Sequence, residues 1–307
     1  MRVGGAIAAG AAAMLYGSAY VATAIALRSL GPTGVALWRG TLGAAVLGVM
    51  LTLPAFASIR PRRLPAAAWA RLAILGLVGG GLFILTMNAA IAAAGATVTA
   101  FVAGLYAVVA AVLAIPLLGE RLETRTLVAL VAALGGTVLL SDLTLTAETL
   151  RGIGIALVAA AAFGLFLVLS RRWGARYGLS GPTVGLATLS MSALVAAMAL
   201  PFTGEALLPD PVRVDALLAI AWLAVGPGAA ASVLIVLGMR QLEARRASVF
   251  LLLNPPTAAV LAVLLLGEGL TPLQLAGSAC VLAAIAVASG AIPIPGRAAG
   301  ARGTLRS

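Results

Sequence analysis

The chain has no histidine and no lysine, one cysteine, and nine acidic residues among its 307. Each shortage removes a class of chemistry. Cys/His metal sites and disulfides need more ligands and thiols than are present, and Cys280, set in an apolar run, reads as a small packing residue. Without lysine there is no Gly-x-x-x-x-Gly-Lys-Ser/Thr phosphate loop, so ATP is not hydrolysed in the usual way. The cluster Gly79-Gly80-Gly81 reads as a close helix contact instead. Paired acids, an activated serine and metal ligands are not assembled, which argues against an enzyme, and no cofactor is expected. The first acidic residue is Glu120, and no Asp or Glu falls within a spanning run. Proton-coupled efflux of cationic drugs ordinarily needs such an intramembrane carboxylate.

What is present is apolar. Hydrophobic residues make up 62% of the chain and charged ones 9%, which is the composition of a membrane protein rather than a soluble domain. The net charge of +11 would suit nucleic acid, but the arginines sit in short loops between apolar runs, not in a stripe interleaved with aromatics. The expected partners are therefore the lipid bilayer and a small-molecule substrate, with no nucleic acid. About 20 apolar residues cross a ~30 Å hydrocarbon core. Ten runs are read as spans: 3–27, 34–56, 68–92, 96–118, 126–141, 152–170, 182–202, 216–239, 247–266 and 273–289. The first exceeds the apolar core of a secretory signal and is kept as a span. Residues 293–307, rich in Gly, Pro and Arg, read as a flexible cytoplasmic tail.

Arginine placement tests the count. With the N-terminus inside, sixteen arginines fall on the cytoplasmic side and three (Arg28, Arg151 and Arg213) outside, leaving Arg39 within the second run. Cytoplasmic loops accumulate arginine, and a missed or invented span would swap the sides of every later loop and erase the bias. The bias therefore supports ten spans with both termini cytoplasmic. The all-Arg, Ala-rich composition fits a GC-rich bacterial genome, hence the bacterial cell inner membrane.

The chain also repeats itself. Sliding it by 148 positions lays Gly119-Glu120 on Gly267-Glu268 and Leu122 on Leu270; Tyr16-Gly17 meets Phe163-Gly164 at 147, and Gly31-Pro32-Thr33 meets Gly181-Pro182-Thr183 at 150. Five spans match five, as repeats 1–145 and 150–292 of one domain, 1–292. Because five is odd, the second copy enters the membrane in the opposite sense. The expected fold is an all-α membrane protein of ten transmembrane helices in two inverted five-helix repeats. Such repeats let a central site open to either side in turn.

The same features resemble EamA-type members of the drug/metabolite transporter superfamily: the duplication, the aromatic-Gly pair in Leu15-Tyr16-Gly17-Ser18, the arginine of Trp38-Arg39, and two endings of the form Gly-Glu-x-Leu. The resemblance covers nearly the whole chain, to about Ala291. It departs from the family at the proline expected midway along both the fourth and ninth spans: Pro255-Pro256 supply it in the ninth, but Ala107 and Val108 stand at the matching places in the fourth. The resemblance implies a secondary transporter, commonly an exporter of amino acids or related metabolites.

Candidate substrate-binding residues are the polar and aromatic groups at mid-depth, which hydrocarbon drives toward protein or water. Tyr16, Tyr20 and Thr23 share a helix face at i, i+4, i+7. Tyr106 is placed to stack a substrate ring, and Trp38 reads as an interfacial anchor. Asn254 and Thr257 flank Pro255 and Pro256, which free the carbonyls of Leu251 and Leu252, so that corner suits a zwitterion or a hydroxylated ligand. Asn254 repairing the freed backbone is the bland alternative. Asn88 is either a site residue or interhelical glue. Arg39 either snorkels to the outer headgroups or holds a substrate carboxylate. Glu120 and Glu268 read as charges that engage neighbouring helix ends. Pro255, Pro256 and Pro227, in Gly226-Pro227-Gly228, are candidate hinges. A monomer is sufficient for such a mechanism. Three other classes stay open on the residues: a nucleotide-sugar or sugar-phosphate exchanger, which would need more basic residues at its cavity; a membrane receptor or structural protein; and a lipid translocase, which would need a lateral groove.

Overall fold

A computed structural model describes residues 3–59, 64–119, 128, 131–132, 135–136, 139, 146–234 and 253–288. Every regular element among them is helical. In order they are α1 (Val3–Ala26), α2 (Pro32–Thr52), α3 (Ala66–Ala94), α4 (Ala96–Leu118), α5 (Ala147–Tyr177), α6 (Gly181–Thr203), α7 (Val214–Leu234), α8 (Asn254–Leu266) and α9 (Pro272–Ala288). Among the described residues seven helices, α1 to α7, are long and apolar enough to cross a membrane, and α8 and α9 are shorter apolar helices. The chain is a multi-pass membrane protein. Of the run 126–141 only positions 128, 131, 132, 135, 136 and 139 are described, all helical. Glu120, Leu251, Leu252 and the tail 293–307 lie outside the described residues.

The helices pack as two copies of one plan. α1 rests on α8 and α7, and its counterpart α5 rests on α4 and α3; α2 packs on α7, and its counterpart α6 on α3; α2 and α6 pack on each other. Single residues obey the same exchange. A Cβ on Gly17 would sit 2.6 Å from the Asn254 carbonyl and 2.8 Å from Thr257, and one on Gly164 would meet the Tyr106 carbonyl at 3.0 Å and Val109 at 2.8 Å. The small residue lets two backbones touch, as is usual where helices associate in lipid. α2 and α6 run antiparallel: Thr33 lies by Glu205, Gly40 by Leu189 and Ala193, and Leu47 by Gly185.

Three local features differ from the sequence expectation. First, α4 is interrupted at Gly104-Leu105, immediately before Tyr106, with no proline at the break. Second, Pro255 and Pro256 occupy the first turn of α8 rather than its middle, where the missing N–H costs nothing because it has no helical partner there. Tyr106 and Asn254, 148 positions apart, thus both begin a helical segment. Third, α5 extends well past the apolar run 152–170. Thr146 caps its start by accepting from the Thr149 N–H, and Gly178, at φ 66°, ends it. Hydropathy reports the hydrocarbon-embedded part of a helix; these caps lie in polar sequence beyond it.

Matching π-helical turns widen α3 at Leu77–Leu82 and α7 at Ala224–Ala230. They align Val78-Gly79-Gly80-Gly81 with Val225-Gly226-Pro227-Gly228 at an offset of 147. Such bulges commonly mark functional places in helices. The widened turn also takes Pro227 into a helix interior, where an α-helical ladder would clash with its ring.

One end of the bundle is tied by polar contacts between the halves. The Glu205 carboxylate accepts from the Thr33 N–H at 2.9 Å, the Gly34 N–H at 3.1 Å and the Thr33 hydroxyl at 3.1 Å, capping α2 from the other half. Asp210 N–H donates to the Ser29 carbonyl at 2.9 Å, and Trp38 Nε1 donates to the Leu207 carbonyl at 2.9 Å. Trp38 is therefore an end anchor. Replacing Glu205 with Ala leaves two backbone donors at the α2 start unpaired, and a stability loss of ~1–3 kcal/mol is expected; a lowered melting temperature in detergent measures it.

Candidate functional site

The polar side chains of the interior come from both halves. α1 is held against α8 by Gly17, which turns the face carrying Tyr16, Tyr20 and Thr23 inward. Tyr20 and Thr23 are buried, whereas Tyr16 is half-buried. Arg39 enters from α2. It is 6% exposed, so it does not snorkel to the bilayer surface, and its Nε and Nη1 make no hydrogen bond. The hydroxyls of Tyr16 and Tyr20 lie within electrostatic reach of this guanidinium, and Tyr16 also interacts with the Ser232 hydroxyl of α7. Tyr106 completes the group through its interaction with Tyr20. Its ring stands edge-on to Phe163 of α5 with centroids 4.9 Å apart. Phe163 in turn stacks on Phe83 and Phe166.

Asn254 stands at the α1–α8 contact, with its Oδ1 buried and unpartnered. Thr257 lies one turn further along α8, its Cβ facing the Gly17 position. The hydroxyls of Thr23 and Thr99 are likewise buried without partners. A buried polar atom without a partner costs free energy, and an unpaired buried guanidinium costs more. Arg39, Thr23, Thr99 and Asn254 thus hold unpaired polar atoms inside the bundle: guanidinium nitrogens, two hydroxyls and an amide oxygen.

Asn88 is fully buried; its Oδ1 is without a partner, as that of Asn254 is, and its amide N–H donates to the Pro32 carbonyl at 3.0 Å. That ties α3 to the start of α2, seven residues before Arg39. Glu268 accepts from the Thr97 hydroxyl at the start of α4, a helix-end contact of the kind expected of it. Pro227 sits in the α7 π turn and Pro255 and Pro256 at the α8 start. Two participants escaped the sequence reading. Ser232 is a lone hydroxyl in an apolar run, and Phe163 served as a repeat marker while its ring contact to Tyr106 depended on a helix pairing the sequence does not state.

Comparison with known proteins agrees with this architecture. The model of the EamA-like transporter family matches residues 3–142 and again 150–290. An uncharacterized transporter of Archaeoglobus fulgidus is 33% identical over 219 residues, 69% of this chain and 75% of that protein. A solved crystal structure superposes with a TM-score of 0.66 over 94% of this chain and 97% of its own, at 21% identity, a likeness of fold. Two family matches in tandem, laid over halves whose helices pack by one repeated plan, establish that the chain belongs to the EamA-like transporter family, within the drug/metabolite transporter superfamily.

Proposed function

We propose that this protein is a ten-span secondary transporter with inverted halves that moves small carboxylate-bearing solutes, amino acids or related metabolites, outward across a bacterial inner membrane by alternating access. The observation that carries the substrate class is Arg39: a guanidinium 6% exposed, with two nitrogens unpartnered, within electrostatic reach of two tyrosines. A carboxylate is the group whose geometry fits that fork. An α-ammonium would find the unpartnered Asn254 oxygen and the Tyr106 ring. The inverted arrangement draws support from the antiparallel packing of α2 on its counterpart α6, since repeats related by an axis along the membrane normal would set them parallel. The arginine distribution supports both termini lying in the cytoplasm.

The test is counterflow of labelled amino acids into liposomes holding the purified full chain. Exchange of at least one carboxylate-bearing solute, and none of its decarboxylated amine, is the expected result. Exchange of the amine at equal rate would remove the role given to Arg39, and silence with every solute beside a working control carrier would remove transport. A second reading, a lipid translocase, takes support from a lateral groove between α1, α7 and α8. Headgroup passage would need a polar path along that groove, and its lining holds only Ser18 and Asp215 beside apolar residues and Trp222.

A further inference from the structure

The two flanks of the bundle carry different side chains at matching positions. On one flank α5 lies against α3 and α4, and Arg172 Nη1 donates to the Leu117 carbonyl at 2.8 Å, bridging α5 to the end of α4. On the other flank α1 lies against α7 and α8, and an apolar groove of about 690 Å³ remains there. The repeat explains why. Ser18, Ala22, Ile25 and Ala219 line the groove, where the matching positions 147 residues away hold Leu165, Leu169, Arg172 and Leu72. At these four positions the α5 flank has the larger side chain.

The groove has a polar end. Arg28, at the end of α1, and Arg213, just before α7, both bond Asp215, at 3.2 Å and 3.1 Å. Two guanidinium groups share one carboxylate, so one positive charge is left over, and all three side chains are about half exposed. Deeper in the seam Trp222 Nε1 donates to the Ser18 hydroxyl at 2.9 Å, satisfying both groups. An apolar channel that opens sideways and ends at Asp215, whose two arginine partners leave that triad net positive, is complementary in shape and charge to one lipid molecule with an anionic head.

We propose that the groove between α1, α7 and α8 is a binding site for an acidic phospholipid, one acyl chain lying along Ala22, Leu218 and Leu265 and the phosphate meeting Arg28 and Arg213. The lipid stands in for the leucines of the opposite seam and holds α1 onto α7. The site does not depend on what the protein transports.

The experiment is native mass spectrometry of the purified full chain titrated with phosphatidylglycerol or phosphatidylcholine of identical chains. Wild type is expected to retain phosphatidylglycerol roughly fivefold better, the weight of one unneutralised arginine at a membrane surface. Arg28→Gln with Arg213→Gln removes the preference. Asp215→Asn, which frees both arginines, increases it, a change that damage to the fold would not produce. Ala22→Leu fills the groove and lowers retention of both lipids. A melting-temperature rise with phosphatidylglycerol, present in wild type and lost in Arg28→Gln, gives the same reading for any variant that is hard to purify. Equal retention of the two lipids by wild type, or a preference untouched by the arginine changes, overturns the proposal.

Discussion

Replacing Arg39 with methionine is expected to lower affinity for a carboxylate-bearing solute by roughly two to three orders of magnitude, within the 2–5 kcal/mol that removal of one partner from a buried charge pair costs. The same change is expected to raise the melting temperature of the empty protein. With Nε and Nη1 unpartnered at 6% exposure, the guanidinium destabilises the unliganded fold, and an apolar side chain of similar length fills its space. A gain of ~1–4 kcal/mol is the usual range when buried charged groups give way to apolar ones. Arg39→Lys keeps the charge and loses the planar fork, so it should transport weakly. An arginine that served the fold would behave oppositely, with transport and melting temperature falling together. Counterflow and thermal denaturation of the same preparations separate the two cases.

The second large effect concerns Gly80. A Cβ there would overlap the Thr188 carbonyl oxygen and lie 2.9 Å from the Thr188 Cα. Those are backbone atoms of α6, so no rotamer change gives relief, and α3 and α6 must part at the π turn. Overpacking usually costs 1–3 kcal/mol and occasionally more; Gly80→Ala is expected at or above ~3 kcal/mol, with loss of folded protein from the membrane fraction. Gly48 in α2 is the matched control, because a Cβ there meets nothing within 4 Å. There the substitution should stabilise by ~0.5–1 kcal/mol through the ordinary helix preference for alanine. Unfolding in mild detergent, followed by far-ultraviolet dichroism, compares the pair.

Some of this was legible in the residues. Hydrocarbon imposes one rule on every segment, that backbone groups be satisfied internally, so run length alone places α1 to α4 and α6. The duplication was legible because its markers are structural necessities: Gly17 and Gly164 are where backbones touch, and Gly119 and Gly267, at φ 73° and 70°, end α4 and α8. Other features depend on contacts that no local pattern encodes. The α4 break at Gly104-Leu105 looks like ordinary small-residue helix, and the proline in the sequence resemblance drew attention to the wrong place. The paired π turns share the pattern Val-Gly-x-Gly, visible once the offset is applied but meaningless until the helices are seen to widen there. For Arg39, two fates were open, and its burial inside the bundle, visible only in the fold, argues against the one at the bilayer surface.

The seat of Arg39 on α2 ties it to the contact between the halves. Arg39 and Gly40 are neighbours on α2, and a Cβ on Gly40 would meet the Ala193 N at 2.6 Å and the Leu189 carbonyl at 2.7 Å. The residue that reaches into the interior is thus seated next to a close backbone contact between α2 and its own counterpart. A motion that exchanges the two halves must slide α2 on α6, and it would carry the guanidinium with it.

The most direct measurement is the sidedness of two corresponding positions. Ala57 follows α2 and Ala206 follows α6, 149 residues apart and both exposed. In a Cys280→Ser background, single cysteines at these places are treated in intact cells with a membrane-impermeant maleimide. The account expects Ala206→Cys to be labelled from outside and Ala57→Cys only after the cells are opened. Labelling of both from the same face would mean that the halves enter the membrane in one sense, and the alternating exchange built on them would have no structural basis.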